Sequence, residues 1–150
     1  MTVRRVLVLS LVAWALVGCG AGQGVDPPAH PEITSADAAV RLVTDAEADL
    51  VLYVSNQSFE DEVVGLTVTI DDVTVVDGDF HVEDQHNWVS FPLAPPEGGH
   101  EITAESDSGA TLHESFEVPQ GKRRYAVIDH WADGAARLSW QFYRQPVGFA

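Results

Sequence analysis

The side chains with the most chemical potential in this 150-residue chain are carboxylates and imidazoles. Asp71, Asp72, Asp77 and Asp79 read as lying in two neighbouring turns, one at Asp71-Asp72 and one at Asp77-Gly78. Calcium takes six to eight oxygen ligands, and acidic turns brought side by side at one end of a small β-domain can supply them. The spacing is not that of an EF-hand loop, and aspartate and glycine are also the residues that turns themselves require. His81 and His86 flank Glu83 and Asp84, so imidazole and carboxylate groups could converge there on zinc or copper. No pair among His30, His81, His86, His100, His113 and His130 has strong metal-site spacing, and exposed histidines on outward strand positions are the simpler account. Trp88, placed beside His86 and Ser90, is a candidate surface for stacking a sugar ring or a partner, against the plainer reading of a covered tryptophan.

Nucleophilic chemistry leaves no comparable signature. There is no G-x-S-x-G elbow, and no cysteine follows Cys19. Asp129 and His130 are adjacent, which in a strand sends their side chains to opposite faces and argues against a local dyad. No glycine-rich loop opens a helix to cradle phosphate. The expectation is a non-enzymatic protein. The sequon Asn56-Gln57-Ser58 reads as a chance match.

The elements that must position these groups have period two. Leu50, Leu52 and Val54 alternate with Val51, Tyr53 and Ser55, and Leu66, Val68 and Ile70 alternate with Thr67 and Thr69. Val73–Val76 and Phe80–Val82 are separated by Asp77-Gly78, which predicts a hairpin turn there. Val89, Phe91 and Leu93 form the next phase, with Trp88 and Ser90 outward. Runs around Ile102, Leu112–Val118, Tyr125–Trp131 and Leu138–Tyr143 complete the set, with turn chemistry between them. Such spacing predicts an all-β chain, a small antiparallel β-sandwich of about seven to nine strands. Ser35–Ala48 fits either a helix or a strand, and the expectation is a first strand leading into Leu50–Ser55. The proline-glycine turn before His100-Glu101-Ile102-Thr103-Ala104 gives the domain the general look of immunoglobulin-like or fibronectin-like modules. That resemblance is to an architecture and implies no functional residues.

The charge excludes some roles. The chain carries a formal net charge of −15. Removing residues 1–18 deletes Arg4 and Arg5 and no acid, leaving 6 basic against 23 acidic residues. Such a surface repels nucleic acid and anionic headgroups. The acids are spread over most turns, as a solubilising surface would be, and the sharper reading is attraction of cations or a basic partner.

The first residues carry an address. Arg4 and Arg5 precede an apolar run from Val6 to Val17 broken only by Ser10. About 12 residues is too short to cross a bilayer, which takes about 20. The tetrad Leu16-Val17-Gly18-Cys19 resembles the lipobox of bacterial lipoproteins. The resemblance, confined to about residues 1–19, implies cleavage before Cys19 and a diacylglyceryl group on its thiol, with acyl chains such as palmitate. Two acyl chains make anchoring stable where one does not. Gly20–Pro31, with three glycines and three prolines, reads as a flexible tether.

The expected organisation is a signal peptide at 1–18, a lipidated cysteine and tether at 19–37, and a β-sandwich at 38–150. The expected function is a membrane-anchored binding or interaction module on the extracytoplasmic face of the cell envelope, with an envelope protein or glycan as partner and no nucleic acid. Calcium or another cation, a carbohydrate through Trp88, and, as the least favoured reading, an envelope hydrolase are the alternatives.

Overall fold

A computed structural model describes residues 40–82 and 88–148. Cys19, the tether and His86 lie outside the described residues. The described chain is all-β, with two facing sheets that enclose one apolar core. The strands are β1 (Arg41–Leu42), β2 (Leu50–Asn56), β3 (Val63–Ile70), β4 (Val73–His81), β5 (Val89–Ala94), β6 (Gly98–Ser106), β7 (Thr111–Val118), β8 (Arg124–Asp133) and β9 (Ala135–Tyr143). One sheet has the order β1-β5-β2-β8-β9 and the other β4-β3-β6-β7.

The period-two reading of the strands translates directly into burial. Leu50, Leu52 and Val54 on β2 face Val64, Leu66, Val68 and Ile70 on β3 across the core, all essentially inaccessible. Phe91 and Leu93 of β5, Ile102 and Ala104 of β6, Phe116 and Val118 of β7, and Ala126 and Ile128 of β8 fill the rest. Leu138, Trp140 and Phe142 of β9 pack against it at one edge, where Phe116 meets Trp140 and Phe142 ring to ring. At about 25 cal/mol per Å² of apolar area buried, this two-sided core is the main source of stability.

The β3–β4 hairpin is longer than the expected pattern. The expected turn at Asp71-Asp72 joins β3 to β4, whereas the one expected at Asp77-Gly78 does not form. Both aspartates have positive φ, 48° and 65°, and Ile70 pairs directly with Val73. This is the geometry of a tight two-residue hairpin, which aspartate tolerates better than most residues. Asp77 and Gly78 instead lie within β4, opposite Thr67 and Leu66. The ladder runs on to His81 opposite Val63, and Val76 and Phe80 keep one inward phase across Gly78. A register shift beside Val68 lets the consecutive residues Val75 and Val76 both be buried.

The sandwich is antiparallel at every strand pair but one: β2 and β8 run parallel, with Ser55 beside Asp129 and Asn56 beside His130. Parallel neighbours need a long crossover, and here the whole second sheet and β5 provide it. Among the described residues the expected first strand is Arg41–Leu42, paired with β5, and a 3-10 turn follows at Asp45–Glu47. Thr44 starts that turn, its N–H and hydroxyl both donating to Glu47 Oε2.

Candidate functional site

The structure separates the four aspartates. Asp71 and Asp72 are in the turn, whereas Asp77 and Asp79 are five or more residues along β4, roughly 16 Å away at a strand rise of about 3.3 Å per residue. They therefore do not form one ligand set. Asp77 and Asp79 are exposed on the outer face of the four-stranded sheet, and His81 is exposed at the far end of the same strand. Among the described residues no group of three or more His, Cys, Asp or Glu side chains is disposed to hold a metal ion.

Asp77 and Asp79 belong instead to a groove, with a volume of about 310 Å³, on that outer face. Cross-strand register builds it: Asp77 lies opposite Thr67 and Thr67 opposite Glu105, while Asp79 lies opposite Gly65. Asp107 completes the lining. Its N–H donates to the Gly65 carbonyl at 3.0 Å. A β-carbon at Gly65 would sit 3.1 Å from Asp107 Oδ2, so its absence leaves that carboxylate room over the strand. Four carboxylates thus surround a notch where a side chain is missing. Among the described residues, the side-chain donors lining it are hydroxyls, such as Thr67 Oγ1 at 3.4 Å from Asp77 Oδ1. A concave site ringed by one sign of charge concentrates ions of the opposite sign.

Trp88 is half-buried, and its indole N–H donates to Asp129 Oδ1 at 2.8 Å. The same oxygen accepts the Ser55 hydroxyl at 2.7 Å. Trp88 is thus fastened to the outer face of the five-stranded sheet, and Ser90, on β5, is exposed. Trp131, at the end of β8, lies under the Arg137 guanidinium, 5.7 Å from ring centroid to charge.

The adjacent residues Asp129 and His130 do point to opposite faces. His130 is fully buried on the inward face. Its Nδ1 is 3.3 Å from Asn56 Oδ1 and its Nε2 is 2.9 Å from Ser108 Oγ, in the β6–β7 turn. Burial pushes the imidazole pKa below its ordinary value, against the opposing pull of the Asp61 and Asp107 charges. Asn56, the sequon asparagine, is itself buried with both ends of its amide engaged, so the folded domain offers no acceptor for a glycan there. Sequence reasoning passed over this cluster. The one available signal was a histidine in phase with the inward residues Ala126 and Ile128.

Comparison with protein-family models, with curated proteins and with solved structures finds no match to this chain.

Proposed function

We propose that this chain is a lipid-anchored extracytoplasmic binding module whose acidic groove receives a cationic group of a partner protein. The observation that carries the binding half is the notch at Gly65, ringed by Asp77, Asp79, Glu105 and Asp107. An amine or guanidinium entering it meets carboxylates from β4, β6 and the turn after β6. The lipobox-like tetrad Leu16-Val17-Gly18-Cys19 and the Gly/Pro tether support the anchored half. The tether would lift the domain off the surface, where an overall charge of −15 favours capture of basic partners over adhesion to anionic lipid.

Each half has its own test. Intact mass and membrane partition of the native protein, beside a Cys19→Ala variant, should show a lipid-sized increment on a chain that begins at Cys19, lost in the variant. A soluble chain without the increment would remove the anchor. For the groove, titration with a lysine-rich peptide should give salt-sensitive binding that drops severalfold when Asp77 and Glu105 are changed to Asn and Gln. Equal affinity for the variant would place binding elsewhere.

A further inference from the structure

A second cluster stands beside the groove and serves a different chemistry. Asn56 Nδ2 donates to the carbonyls of Asp61 at 2.9 Å and Phe80 at 3.2 Å, and Asn56 Oδ1 accepts the Ser58 N–H at 3.0 Å. These contacts fix which end of the amide faces His130. Because Oδ1 faces the ring, Nδ1 carries the ring proton, and the Nε2 lone pair is left for the Ser108 hydroxyl at 2.9 Å. Ser108 is exposed, on a turn closed by Gly109 at φ +88°. Asp61 Oδ2, 4.0 Å from Nε2, is placed to stabilise an imidazolium. Nucleophile, base and orienting group therefore stand in the order that activates a serine.

We propose that Ser108 is an activated nucleophile that takes up the acyl group of an activated ester, with His130 as its base and Asn56 as a positioning residue. In the step, a bond forms between Ser108 Oγ and the ester carbonyl carbon, and the bond from that carbon to the leaving oxygen breaks. The hydroxyl proton passes to His130 Nε2, where it stays on an imidazolium beside Asp61, and the leaving group departs as its oxyanion, which an activated ester allows. Hydrolysis of the acyl-serine would require water at the same Nε2. His130 is completely enclosed behind Ser108, so the acyl-serine persists and the site captures covalently more than it turns over. This inference goes beyond groove binding and does not depend on it.

The test is acetylation of the full chain by p-nitrophenyl acetate, followed by intact mass and peptide mapping. One acetyl group per chain is expected at Ser108, at a rate about 100-fold above that of the exposed Ser115, which serves as an internal control. Ser108→Ala, a change at an exposed turn, should fold normally and lose the adduct. The rate should fall with pH as the base takes a proton, with Asp61 and Asp107 the titratable groups nearest the ring. Labelling of Ser108 no faster than Ser115, or a Ser108 rate proportional to hydroxide throughout, overturns the proposal.

Discussion

His100 Nδ1 lies 2.6 Å from Asp71 Oδ2, and this contact locks the β3–β4 turn onto β6. The ring is buried against Phe116, with its Nε2 2.8 Å from the Pro96 carbonyl. Asp71 also exchanges backbone contacts with its neighbour strand: its N–H donates to the Glu101 carbonyl, and its Oδ1 accepts the Glu101 N–H, both at 3.0 Å. A residue at positive φ is thereby held by three independent bonds.

Replacing Asp71 with Ala should cost about 1–3 kcal/mol, because it leaves a buried imidazole nitrogen without its partner. The carboxyl also makes stability depend on pH. Burial alone would raise its pKa, but hydrogen bonds from His100 and the Glu101 N–H, with the His100 charge, bring it below the ordinary 3.8. The folded pKa is depressed, so the contribution is present above the unfolded value and is lost as pH falls through the folded one. Denaturant melts of the wild type and of Asp71→Asn at pH 6 and pH 3 should converge at the lower pH. A gap that stays constant would contradict this.

The neighbouring position predicts the opposite sign. Asp72 has φ 65°, and among the described residues its side chain accepts no hydrogen bond. Asp72→Gly should leave stability equal or raise it by a few tenths of a kcal/mol, since the left-handed conformation is free to glycine. Thermal melts decide it, and a loss above about 1 kcal/mol would show that the carboxylate has a partner role in the turn.

His130 gives a pH effect in another window. Its folded pKa lies below the unfolded value of 6.5 because of burial. The unfolded chain therefore binds more protons between the two values, and stability falls as pH drops from 6.5 toward the folded pKa. Urea unfolding at pH 8 and pH 5.5 should show the native domain losing stability at the lower pH. His130→Gln, which cannot take up a proton, should lose less over the same interval.

Leu52 sits at the centre of β2, fully buried between β5 and β8. Leu52→Ala should destabilise by about 2–5 kcal/mol through lost transfer energy and the cavity left behind. For a domain of about 100 residues that is a drop in Tm of roughly 10 °C or more. A shift under a few degrees would mean that the core closes over the gap.

Much of the fold was legible because strand periodicity is a local property. Leu50, Leu52 and Val54, or Leu66, Val68 and Ile70, announce both strand and inward face without reference to any partner. The tertiary structure decided which strands pair. The choice of Asp71-Asp72 over Asp77-Gly78 as the turn depends on β3 offering a ladder long enough to carry β4 through to His81. Both dipeptides suit a turn locally, and only the summed hydrogen bonds of the longer hairpin separate them. The parallel pairing of β2 with β8 has no local signature at all, yet it places Asn56 beside His130, 74 residues away in the chain. The same holds for the groove: Asp77, Glu105 and Asp107 are scattered in sequence, and cross-strand register alone gathers them around Gly65. Sequence by itself determined strand content, inward faces and acidity, because each follows from residue type at short range. Long-range register decided where charges and imidazoles meet, because a chain's two-residue period says which face a side chain takes but not what lies across from it.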